Sequence, residues 1–84
     1  MRLLLQQRPD GREAPRFVQL QLQPDLLGGW TLLRETGQIG GRSTLRKDLF
    51  PDQASALAAL ESARDAQLKR GVQLVFAQGA NAPR

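Results

Sequence analysis

The chain has 84 residues with no cysteine and no histidine. That is enough for one small domain burying roughly 60–65% of its unfolded surface, and it excludes a disulfide framework, a thiolate metal site, and the side chain that most often serves as general base or zinc ligand. Twelve lysines and arginines against eight aspartates and glutamates give a net charge of +4, which favours anionic partners, although the arginine bias of ten to two is also what a GC-rich genome produces.

The first residues, MRLLLQQRPD, hold a run of three leucines. A secretory signal needs an apolar core of about 7–15 residues and a membrane span about 20. Neither is met, so a soluble cytoplasmic protein with no membrane partner is expected. Residues 2–8 read as an edge strand. Pro9-Asp10-Gly11 is a turn signature, because proline presets one φ and glycine accepts a positive one. Residues 16–23, RFVQLQLQ, alternate with period two. Val18, Leu20 and Leu22 fall on one face and Phe17, Gln19, Gln21 and Gln23 on the other, the pattern of a half-buried strand.

Pro24 and Asp25 end that strand, and Gly28-Gly29 marks a tight turn. Residues 30–35 form the next strand, with Leu32 and Leu33 on opposite faces, so that either both faces are partly covered or a bulge shifts the phase. Gly37, Gly40 and Gly41 sit in a short loop. Residues 42–49 form a further strand with Arg42, Thr44, Arg46 and Asp48 on one face and Leu45 and Leu49 on the other. Asp52 is placed to cap a helix over residues 53–70, which are rich in Ala, Leu, Gln and Arg and free of Gly and Pro. Ser55 leaves the capping box incomplete. Ala56, Leu57, Leu60 and Ala63 form a narrow apolar stripe suited to close packing on a sheet. Lys69 and Arg70 complement the dipole at the C-terminal end, and Gly71 is a natural C′ residue. Residues 72–76 return as a last strand, and residues 77–84 form a loose tail. Residues 1–76 thus make one α+β domain: a small antiparallel sheet of four to five strands with one helix across it. Its core sets Ala56, Leu57, Leu60 and Ala63 against Val18, Leu20, Leu22 and Leu45.

Few residues carry chemistry. The glycine cluster GQIGGRST lacks the lysine of a phosphate-binding P-loop and leads into a strand rather than a helix, so hairpin geometry explains it better. Asp48 and Asp52 form no convergent acid pair, and no nucleophile–base set exists. No enzyme activity, metal or small-molecule cofactor is therefore expected. Trp30, opening a strand directly after a turn, suits packing better than base stacking, and Phe17 and Phe50 are read as structural. The basic set Arg34, Arg42, Arg46 and Lys47 is the leading functional candidate, although an ordinary solvated sheet face would look the same. Contact of three of these side chains with phosphates would give a salt slope of about −2.7, a roughly fortyfold loss of affinity between about 50 and 200 mM salt.

Taken together, RFVQLQLQPDLLGGWTLLRETGQIGG, the basic strand, LFPDQASALAAL and the closing LKRGV resemble a WGR domain over residues 14–74. This module occurs in DNA-damage-sensing poly(ADP-ribose) polymerases and in many bacterial proteins. The family is named for Trp-Gly-Arg, where this chain has Thr36-Gly37-Gln38; Thr36 cannot stack and Gln38 carries no charge. Val18 and Val72 likewise stand where the family often has an aromatic residue and a tyrosine. The resemblance implies a twisted antiparallel sheet with one packed helix and a non-enzymatic binding module. Gly37, the basic strand and the helix end carry over position by position. The expected nucleic-acid surface is Arg34, Gly37, Gln38, Arg42, Arg46 and Lys47, with Lys69 and Arg70 as additions and DNA or another nucleic acid as partner. Such domains also dock onto other domains, so a protein-interaction module is the alternative.

Overall fold

A computed structural model describes residues 1–8, 11 and 14–79. Five strands and one helix follow in the order β1 (Arg2–Gln6), β2 (Arg16–Pro24), β3 (Trp30–Gln38), β4 (Ser43–Phe50), α1 (Gln53–Lys69) and β5 (Gln73–Gln78). The strands form a single antiparallel sheet in the order β4-β3-β2-β1-β5, and α1 packs across it, touching β2 and β3 most. This is the α+β architecture expected from the alternation and the single helical segment. The Pro9-Asp10-Gly11 turn, apart from Gly11, and residues 80–84 of the tail lie outside the described residues.

The register assigns every side chain to a face. Leu3 and Leu5 pair with Leu20 and Val18, and Leu22 pairs with Leu32. All six are buried, together with Ala56 and Leu60 of the helix. Partly buried Trp30, Phe50, Leu57, Ala63, Val72, Leu74 and Ala77 close the margins of this core. The opposite face has no covering element among the described residues. It carries the glutamines of β2 together with Leu4, Leu33, Leu45 and Phe76, which occupy register positions alternating with the core.

Several sequence-based expectations are corrected. β1 is an interior strand, because the C-terminal strand β5 pairs along its other side. Leu45 does not join the core: its partner is Glu35, itself opposite Gln19, which puts it on the uncovered face, where it is 66% exposed. β3 continues to Gln38, so Gly37 lies within a strand and not in the loop. Its two leucines need no bulge; Leu32 is buried under the helix and Leu33 is half-buried on the other face. The bulge falls in β5, at the register shift between Leu4 and Leu5, and β5 runs on through Ala77 and Gln78, where a loose tail was expected.

The helix ends are built as the sequence indicates. The Asp52 side chain accepts from the Ser55 N–H at 2.7 Å, satisfying one of the N–H groups that have no partner within the helix. That bond favours the charged carboxylate and holds Asp52 below its ordinary pKa. At the other end Gly71 takes φ +84°. Its N–H donates to Leu68 O and that of Val72 to Gln67 O, both at about 3 Å, 3.0 and 3.1. This is the Schellman arrangement, and its left-handed residue is least strained as glycine. The chain then turns directly into β5, whose end brings Gly79 against Met1 at the start of β1.

Candidate nucleic-acid interface

The expected surface residues all belong to the β3–β4 hairpin, but the hairpin distributes them over two faces. Arg34 and Arg46 are direct cross-strand partners, on the same face as α1. Gln38 lies on that face as well, opposite Arg16 of β2. Lys47 pairs with Leu33 and points to the uncovered face. Arg42 sits in the loop just before β4, where its carbonyl accepts from the Gln38 N–H at 3.4 Å. Four of the six positions can therefore act together, and Lys47 cannot join them without the ligand wrapping around the sheet edge.

Opposed like charges in an antiparallel pair repel, and the Arg34–Arg46 pair is held by its surroundings. Arg46 is drawn along its own strand to Asp48, with Nε 3.2 Å from Oδ1. The Arg46 side chain remains 67% exposed, so this ion pair contributes little to stability. Arg34 is deeper. Its Nε is buried and has no hydrogen-bond partner among the described residues, an unusual state for a charged donor. Asp48 is the one acidic side chain that β3 and β4 place on this face. Glu35 lies on the other, where it accepts from Ser43 Oγ at 2.7 Å.

Gly37 has a structural role. An added Cβ would run into the Arg42 carbonyl and would come within 2.8 Å of Ser43 Cα. The missing side chain is thus filled by the hairpin's own backbone, not by space for a ligand. The hairpin loop is further fixed by the Ile39 N–H, which donates to Pro15 O at 3.0 Å, and by that of Gly41, which donates to Gln38 O at 2.9 Å. Trp30 lies in register with Phe50 and Pro24 and packs against the core, in keeping with a structural role.

The helix end adds residues that the sequence reading placed elsewhere or passed over. Arg16 is in phase with Val18, Leu20 and Leu22, so it lies on the helix side, and α1 ends over this part of the sheet. Arg16, Thr36, Gln67 and Arg70 consequently line one cleft. The phase of Arg16 within the alternating run is the sequence signal for this placement. Lys69 is exposed and does not line the cleft. Among the described residues no helix is long and apolar enough to cross a membrane. Comparison with family models, with curated proteins and with solved structures yields no match for this chain.

Proposed function

We propose that the chain is a non-enzymatic binding module, similar to WGR domains, that contacts nucleic acid through its backbone phosphates at the helix-side face of the β3–β4 hairpin. The observation that carries this reading is the Arg34–Arg46 pair: two guanidinium groups opposed in register, with Asp48 the single carboxylate of these strands on their face. A phosphate between or beside them would relieve the repulsion and supply the acceptor that Arg34 Nε lacks. Arg42 extends the same positive strip into the hairpin loop, and Gln38 adds a neutral donor. No side chain here is arranged to read a base edge, so the contact is one that positions a backbone and carries no sequence preference.

Binding to blunt duplex, nicked duplex, single-stranded DNA and RNA, measured at about 50 and 200 mM salt, tests the reading. Two to three phosphate contacts predict a roughly 12- to 40-fold loss of affinity over that range. Arg42→Glu with Arg46→Glu should abolish binding, and Lys47→Glu should weaken it less. Absence of binding at the lower salt would remove the nucleic-acid reading, and binding unchanged in the Arg42/Arg46 variant would remove this surface.

A second reading, a protein-interaction module, is favoured by the distribution of apolar side chains. Leu26 and Leu27 stand fully exposed in the β2–β3 turn, and Leu45 and Leu49 are 66% and 70% exposed on the edge strand. Under this reading Leu26→Ser with Leu27→Ser abolishes partner capture and leaves nucleic-acid binding intact.

A further inference from the structure

The cleft beneath the C-terminal end of α1 is separate from the β4 strip. It has a volume of about 300 Å³, at the lower end of the roughly 300–1,000 Å³ range of small-molecule sites. Its polar walls come from four parts of the chain: Gln7 after β1, Arg16 opening β2, Thr36 in β3, and Gln67 and Arg70 at the helix end. Val18 and Val72 supply the apolar side chains of the remainder. Among the described residues no acidic side chain lines it, and neither Arg16 nor Arg70 enters an ion pair there.

Among the described lining residues the donors outnumber the acceptors. Each guanidinium carries five N–H groups and no acceptor. The Gln7 Oε1 is already engaged, accepting from the Arg16 N–H at 3.3 Å, which leaves the Gln7 NH₂ as a donor. The helix end is an unfavourable neighbour for an anion, with a partial charge of roughly −0.5. Here, however, the Gln67 and Leu68 carbonyls are closed by the N–H groups of Arg70, Gly71 and Val72, and two full positive charges outweigh the remainder.

We propose that this cleft binds the phosphate group of a small organic phosphomonoester. Arg16 from the sheet and Arg70 from the helix end grip it, the Thr36 hydroxyl and Gln7 amide add donors, and Val18 and Val72 face the organic portion. Two guanidinium forks offer more parallel N–H pairs than the two oxygens of a carboxylate can accept, whereas the three terminal oxygens of a phosphate match them. The proposal does not rest on the nucleic-acid reading, since it uses neither Arg42 nor Arg46 and concerns a free small molecule.

The test is a titration of the full chain, followed by amide chemical shifts, with glucose 6-phosphate, inorganic phosphate, glucose and citrate. Saturable shifts are expected at Phe17, Thr36 and residues 67–72 with glucose 6-phosphate, weaker ones at the same amides with inorganic phosphate, and none with glucose. Arg16→Ala and Arg70→Ala should each weaken glucose 6-phosphate binding about tenfold or more. Neither side chain is in the core, so both variants should keep the dispersed spectrum of the parent. Arg16→Lys with Arg70→Lys retains the charge but loses the forks, and should also bind more weakly. Arg42→Ala with Arg46→Ala should leave the affinity within about twofold. The proposal is overturned by the absence of saturable shifts up to roughly 10 mM glucose 6-phosphate. Equal binding of citrate, which would indicate charge alone, overturns it too, as does unchanged binding in the two alanine variants.

Discussion

Leu60 is the one large helix side chain in the core that is wholly removed from solvent; Ala56, its buried companion, is small. Truncating it to alanine deletes about three methylene equivalents, a transfer loss of ~2.4 kcal/mol at ~0.8 kcal/mol each. The cavity left between helix and sheet adds to this, because the backbones on both sides are fixed by their own hydrogen bonds. The expected total is about 3–4 kcal/mol, within the range for buried leucines. Against an expected stability of about 4–13 kcal/mol for a domain this size, that is a large fraction, and it should lower Tm by about 12 °C or more. Urea denaturation followed by far-ultraviolet circular dichroism and by the fluorescence of Trp30, which packs on the same core, measures it directly. Leu45→Ala is the paired control. At 66% exposure it should change stability by less than about 0.5 kcal/mol. A loss below about 0.5 kcal/mol for Leu60→Ala would refute the packing, and a loss above about 2 kcal/mol for Leu45→Ala would refute the β3–β4 register that puts Leu45 on the uncovered face.

Two further predictions concern the hairpin and the helix cap. Gly37→Ala should cost about 1–3 kcal/mol through overpacking against the Arg42 and Ser43 backbone, read as a lower urea midpoint; a neutral result would mean that the hairpin loop is looser than described. Asp52 has its pKa lowered mainly by the hydrogen bond from the Ser55 N–H, so its charged form is favoured in the folded state. The resulting stabilisation is complete above the unfolded value near 3.8 and is lost as pH falls through the lower folded value. The stability difference between the parent and Asp52→Ala should therefore be flat from about pH 7 to 5 and shrink in acid; a difference that grows on acidification would contradict the cap.

The parts of the fold legible in the sequence are those set by local chemistry. β2 announced itself by alternation, and the helix by composition and by its capping residues at both ends. What failed was pairing. Nothing local in RLLLQQR distinguishes an edge strand from an interior one; the distinction depends on VQLVF, nearly seventy residues away, returning alongside it. Leu45 misled for a related reason. An alternating strand shows which residues share a face but not which face meets the core, and that choice depends on its register with β3. The basic set was recovered as residues but not as a surface, since one step along β4 sends Lys47 and Arg46 to opposite sides. The cleft was the least legible feature, because Arg16, Thr36 and Arg70 come together only through three separate packing decisions.

The contact between Met1 and Gly79 has a consequence for how the chain can be joined to another. Because β1 starts where β5 finishes, residues 1 and 79 lie side by side. The unit could be spliced into a surface loop of a host protein with little distortion of either, hanging from it as from a single stalk. Both the β3–β4 strip and the cleft under α1 would then be presented on one body. The same geometry would allow residues 1 and 79 to be joined by a short linker and the chain reopened in the β2–β3 turn, where Leu26 and Leu27 already stand clear of the sheet.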